Sequence, residues 1–280
     1  MLSLSLLGSP QILLDGQPLD SLRRKNRALL FYLAAHREPL TRAHLLTFLW
    51  PDTERSAAQR TLRTMVYDLR KQLGEAFVTD GELLGLNAES DVRKFEAGLA
   101  SSDPSSLTAT LELYRGDFLS GFTLAEPPEF DDWVMAERER FRSLYIRGLT
   151  TLAQRHESAR NYSVALEAVS RALAFDPLQE ELQRLALRLH YFSGDRPAAI
   201  RRYESLRKLL DEELGVPPSP ETRALYDAVI TDTLALPARP SAPIQITASP
   251  KAAATPLLPF TERAAELQTL SHSPHRASSS

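Results

Sequence analysis

Residues 60–73 read RTLRTMVYDLRKQL, and the rest of the chain takes its meaning from them. Leu62, Val66, Leu69 and Leu73 recur at spacings of four, three and four, which sets them on one face of an α-helix. The other face carries Arg60, Arg63, Thr64, Tyr67, Arg70 and Lys71, with Asp68 as its one acid. Gly74 follows directly, where a helix C-cap favours a residue free to turn left-handed. Lys71, close to the end, suits the helix dipole. A helix in a major groove needs donors for phosphate oxygens and base edges, and this face has them. A solvated surface helix would carry the same residues, so the surrounding sequence decides between the two readings.

Charge is the first discriminator. The 280-residue chain has a net charge of -3, which alone does not point to nucleic acid. Its distribution does. Ser21 to Leu73 holds 11 Lys and Arg against 4 Asp and Glu, whereas Ser101 to the end holds 20 against 24. One basic segment in a mildly acidic chain is the footprint of a nucleic-acid-binding module. The length allows two domains with real cores. With no cysteine there is no disulfide framework, thiolate metal site or cysteine nucleophile. No apolar run reaches the roughly 18 residues of a spanning helix, and MLSLSLLG lacks the basic start of a signal peptide. A cytoplasmic protein without a membrane segment is expected.

Order along the chain is the second discriminator. Residues 3–20 read as short strands, with Asp15-Gly16 as a hairpin turn. Arg23 to Ala35 is the first helix, burying Leu29, Leu30 and Leu33. Thr41 is a good N-cap for a second helix, Arg42 to Leu49. Pro51-Asp52 breaks the chain, and a short polar loop leads into the helix at Arg60. AFVT and ELLGLN then flank Asp80-Gly81 as a second hairpin. Sheet, three helices and hairpin follow the plan of a winged helix of the OmpR/PhoB type.

The words themselves make the resemblance more specific. LSLLGSPQILLDGQPL, RRKNRALLFYLA, LTRAHLLTFLWPD and RTLRTMVYDLRKQLG resemble SARP-type activators, the antibiotic regulatory protein family, over residues 1 to about 90. The resemblance implies DNA binding through the third helix and, carried over by position, implicates Arg60, Arg63, Thr64, Tyr67 and Arg70. The sequence departs from the pattern at the wing. A wing that probes the minor groove usually offers Arg or Lys, but Thr79, Asp80, Gly81 and Glu82 place two acids there.

Beyond Ser90-Asp91 the chain reads as almost entirely helical, with a helix from Val92 and long periodic segments at Leu107–Leu119 and Phe130–Arg155. Ala165 and Ala199, like His156 and His190, stand 34 residues apart, the period of tetratricopeptide helix pairs. Asp211 stands where the second unit would close on proline, as the first does at Pro177. YRGDFLSGF, FDDWVMAERERF, ALEAVSRALAFDPLQEE, GDRPAAIRRYE and LGVPPSPETRALY resemble, in order, the bacterial transcriptional activator domain that follows the winged helix in SARP-type proteins.

The expected fold is therefore mostly α with a small β component: a winged helix-turn-helix over 1–90 and an all-α, tetratricopeptide-like repeat domain over 91–235. Residues 236–280 read differently. Six prolines between 237 and 259 mark a linker, expected to be disordered. LPFTERAAELQTL resembles the entry to the ATPase domain of larger family members, with Glu262 where Gly is usual and no phosphate loop following.

Sites for other chemistry are weighed and declined. The six histidines are scattered without ligand spacing. Glu129, Asp131 and Asp132 sit at a helix start, where dipole and capping explain them, and Phe130, Trp133 and Phe141 read as core. No nucleophile elbow, phosphate loop or dinucleotide fingerprint is present. No enzyme activity, cofactor or metal is expected. The leading function is a sequence-specific transcriptional activator binding promoter repeats, with double-stranded DNA and RNA polymerase as partners and a homodimer on DNA. Residues 1 to about 90 are expected to fold and touch DNA weakly by themselves. A protein-interaction scaffold, its work done by the repeat domain, is the competing class.

Overall fold

The computed structural model describes residues 1–235, so the readings of 236–280 as linker and ATPase remnant lie outside the described residues. β1 (Leu2–Ser5), β2 (Gln11–Leu14) and β3 (Gln17–Pro18) open the chain as antiparallel neighbours. Asp15 and Gly16, both at positive φ, turn β2 into β3 as the sequence indicates. Three helices follow: α1 (Arg24–Ala35), α2 (Arg42–Leu49) and α3 (Arg55–Leu73). β5 (Phe77–Asp80) and β6 (Leu83–Leu86) form the wing, joined by β4 (Leu40–Thr41) in a three-stranded sheet of order β4-β6-β5. β7 (Ala88–Ser90) returns to lie parallel to β1, completing a four-stranded sheet of order β3-β2-β1-β7. Strands as short as β4 and β7 are too brief to show a period in sequence.

Local chemistry moves several boundaries. α3 begins at Arg55, not after a loop ending near Arg60, because the Glu54 carboxylate accepts from the Ser56 and Ala57 N–H groups and caps five further residues. Gly74 ends α3 at φ 56 and ψ -129, a glycine conformation but not the left-handed helical one expected. The wing turns on Gly81-Glu82, not Asp80-Gly81. Gly81 takes positive φ at the first central position, which a type II′ turn reserves for glycine. α2 keeps its expected bounds. Thr41 Oγ1 accepts from the His44 N–H at 3.2 Å, and replacing Thr41 by Ala should cost about 1 kcal/mol in a denaturant titration.

The remainder is helical: α4 (Asp91–Gly98), α5 (Pro104–Leu111), α6 (Pro128–Ser158), α7 (Tyr162–Leu173), α8 (Glu180–Phe192), α9 (Arg196–Leu214) and α10 (Pro220–Ile230). The helix expected to reach Leu119 ends at Leu111. The following residues bridge to the segment just after β1 instead: Leu119 N–H donates to the Leu6 carbonyl at 2.8 Å, and Arg115 N–H to that of Leu7 at 3.2 Å. α6 outgrows the expected Phe130–Arg155 because Pro128, at its first turn, needs no hydrogen-bond acceptor. The 34-residue echo has a packing basis. Ala165 in α7 and Ala199 in α9 are both fully buried, where a larger side chain would hold paired helices apart. α9 has no closing proline and runs on to Leu214, ending at Gly215 in the left-handed conformation.

Packing runs across residue 90 without a break. One apolar cluster extends from Leu2 to Leu189. α1 is buried on two faces, not the one that Leu29, Leu30 and Leu33 announce, since Ala28 through Ala34 are all buried. Its second face meets the helical part. Phe31 lies edge-on to Phe122 at 5.0 Å, and Tyr32 stacks on Phe48 of α2 at 4.0 Å and meets the Trp133 edge of α6 at 4.8 Å. Phe130 and Phe141 are core as expected, Trp133 packs against it partly buried, and Phe130 and Trp133 seal this joint. Polar groups close it as well. The Asp91 carboxylate accepts from the Leu6 N–H at 2.8 Å and from the Leu7 N–H at 3.1 Å. Burial pushes the Asp91 carboxyl above the usual carboxylate range, with these N–H groups and Arg115 pulling the other way. A self-sufficient 1–90 segment does not fit this packing.

Candidate nucleic-acid interface

α3 divides cleanly. Ala58, Leu62, Met65, Val66, Leu69 and Leu73 are buried. Met65 is the member that the sequence reading left out, although it falls three residues after Leu62. Arg60, Arg63, Thr64, Tyr67, Arg70 and Lys71 are all exposed on the opposite side. Among the described residues, none of the four cations forms an ion pair. Arg60 reaches only Ser56 Oγ, at 3.4 Å. Glu54, capping the start of the helix, is held below its usual range by hydrogen bonds from Ser56 and Ala57, so it remains an anion at neutral pH.

Two grooves flank this face. One, of about 390 Å³, lies between α3 and the wing, with Arg42, Arg55, Gln59, Arg63 and Glu82 in its wall. The other, of about 570 Å³, is lined by Arg42, Arg63, Val66, Tyr67, Arg70 and Lys71. Arg42 belongs to both and Arg55 to the first, and the sequence reading put neither at the site. Their signal was available, because each opens a helix, but only the fold sets those helix starts beside the wing. Arg42 also holds the wing: its N–H donates to the Glu82 carbonyl at 2.8 Å. The wing presents Asp80, Glu82 and the exposed Val78 and Leu83, with no cation of its own.

The basic excess of residues 21–73 is thus split between two uses. Arg24 donates to the Thr123 carbonyl at 2.6 Å, Arg27 lies over the Phe122 ring at 5.4 Å, and Lys25 over Trp50 at 4.8 Å. Burial lowers the Lys25 pKa, as expected for a cation laid on the protein's own surface. These three serve packing and Arg37 pairs with Glu96, which leaves the α3 cations with Arg23, Arg42 and Arg55 as the open positive charges of this segment. Elsewhere, His156 and His190 are half-buried, burial lowers the His190 pKa, and no group of three potential ligands exists among the described residues.

A winged helix with an open cationic third helix, fused to stacked helix pairs, defines a DNA-binding transcriptional regulator. The family model for the bacterial transcriptional activator domain matches residues 79–230, and that for the C-terminal domain of transcriptional regulatory proteins matches 16–82. The chain belongs to the bacterial transcriptional activator domain family and has the SARP architecture. It is 26% identical over 249 residues to the transcriptional regulatory protein MoaR1 of Mycobacterium tuberculosis, covering 81% of this chain and 78% of MoaR1. It is 27% identical to the transcriptional regulatory protein EmbR of M. tuberculosis, covering 82% of this chain and 63% of EmbR. To the regulatory protein AfsR of Streptomyces griseus it is 27% identical, covering 94% of this chain but 28% of AfsR. The solved structure of M. tuberculosis EmbR in complex with a low-affinity phosphopeptide superposes with a TM-score of 0.66 at 23% identity, over 84% of this chain and 66% of that one. That likeness shows the same fold. No helix among the described residues is long and apolar enough to cross a membrane.

Proposed function

We propose that α3 enters the major groove of double-stranded promoter DNA, with Arg60, Arg63, Thr64, Tyr67, Arg70 and Lys71 as its contacts. The observation that carries this is the exposure of all six on one face, with the four cations unpaired among the described residues. Cations without internal partners are free to replace the counterions of phosphates, and guanidinium groups match guanine edges. Residues 1–90 carry the DNA face and 91–235 the surface for other proteins. RNA polymerase and a second copy on a neighbouring half-site are the partners this arrangement serves, in the cytoplasm, without catalysis or a cofactor.

Fluorescence anisotropy on a fragment selected by the full chain tests the reading. Arg63→Ala and Arg70→Ala should each weaken binding by about 1–3 kcal/mol while the melting temperature stays at the parent value. A base contact will also relax preference at one position, whereas a phosphate contact will weaken all sequences alike. Parent-like binding by both variants removes α3 from the interface.

A further inference from the structure

The middle of the α3 face is not polar. Tyr67 is 68% exposed, far above the next aromatic residue among those described, Phe175 at 39%. An open tyrosine ring on a folded surface is apolar area waiting for cover. One turn earlier stands Thr64, whose hydroxyl donates to the Arg60 carbonyl at 3.2 Å. Its one donor proton is spent inside the helix, so what it has left for a partner is its methyl and the lone pairs of its oxygen, which can accept but not donate. Thr64 and Tyr67 are three apart and therefore neighbours on the surface. Arg60 and Arg63 lie before them and Arg70 and Lys71 after. Val66, largely buried, forms part of the wall of the groove beside Tyr67. Tyr67 and Thr64 form a small apolar patch between two cationic ends, with the half-buried Asp68 next to Tyr67 as the one acid.

Major-groove edges offer an apolar group at one place, the C5-methyl of thymine. Thr64 and Tyr67 are separated along the helix axis by about 4.5 Å, little more than one base-pair step of about 3.4 Å. We propose that Tyr67 and Thr64 read the 5-methyl group of a thymine, fixing a T·A pair between the positions that the two cationic ends address. This rests on α3 being the DNA-facing helix and adds what that helix selects. The ring covers the methyl, the Thr64 methyl closes the other side, and the flanking arginines pin the register.

Deoxyuridine removes that methyl and leaves the base-pairing edge intact, so it isolates the contact. Fragments are first selected from a random duplex library by the full chain, and each thymine of the best fragment is then replaced singly by deoxyuridine. One position should show binding weakened by about three- to tenfold. Tyr67→Ala should bind thymine and deoxyuridine equally at that position, and Tyr67→Phe should keep the discrimination. Sequence-selective, salt-dependent binding that ignores every deoxyuridine overturns the proposal and leaves the DNA-facing role of α3 standing. So does equal, sequence-independent weakening by Tyr67→Phe and Tyr67→Ala, which would make the hydroxyl a phosphate contact. A library that yields no selected fragment, with no salt-dependent affinity, overturns both levels at once.

Discussion

A chain cut after Ser90 should not melt cooperatively, although it would contain the whole winged helix. The cut removes Phe122, Phe130 and Trp133 from the rings of Phe31, Tyr32 and Phe48. Burying an aromatic or a large aliphatic side chain stabilises by roughly 1.5–3 kcal/mol. Uncovering several at once removes much of the roughly 5–15 kcal/mol that keeps a domain folded. The same cut takes away Asp91 and strands the Leu6 and Leu7 N–H groups. Without residues 115–120 the edge formed by Leu6 to Gly8 also lies open. Loss of the near-ultraviolet dichroism bands and of a sigmoidal melt is the expected result. A sharp melt near that of the full chain would show that the joint is dispensable.

Asp91→Ala should cost about 2–6 kcal/mol, since it leaves two buried backbone N–H groups unsatisfied at about 1–3 kcal/mol each. The pH dependence of this difference has a definite sign. Burial raises the folded-state pKa of the carboxyl above its unfolded value, so the folded chain holds the proton more tightly. The stability that Asp91 adds through this linkage is complete below the unfolded pKa and declines as pH rises through the folded one. Denaturant titrations of parent and variant across the carboxylate range should therefore show their gap narrowing with rising pH. A gap below about 1 kcal/mol at every pH would mean that water replaces the carboxylate without loss.

The same joint marks the limit of what the sequence discloses. The apolar period of α3, the Thr41 cap and the Asp15-Gly16 turn are local, and each acts in the structure as residue chemistry dictates. So is the 34-residue spacing that places Ala165 and Ala199 between helices. The second buried face of α1 is not local: Phe31 and Tyr32 are covered by residues about ninety or more positions later in the chain. The pairing of Leu6–Gly8 with Arg115–Ser120 is long-range in the same way, and it ends α5 early where periodicity alone would continue it.

At the candidate site the division is similar. The six residues of the α3 face follow from helical spacing. Arg42 and Arg55 join them only because α2 and α3 start beside the wing. Counting charge overstated the basic surface, since Arg24, Lys25 and Arg27 are laid against the protein's own carbonyls and rings. Composition sees the number of cations, and only packing shows which remain open to an anion.

The salt dependence of duplex binding by the parent and by an Arg63→Ala, Arg70→Ala double variant bears most directly on the DNA-binding role of α3. Each phosphate neutralised by a cation contributes about -0.9 to the slope of log affinity against log salt. The parent should bind with a steep negative slope. The double variant should bind at least tenfold more weakly, with a slope flatter by about one or two if those arginines meet phosphates, and with lost sequence preference if they meet bases. Identical affinity, slope and preference in the two proteins, both folded, would contradict the assignment of α3 to the major groove.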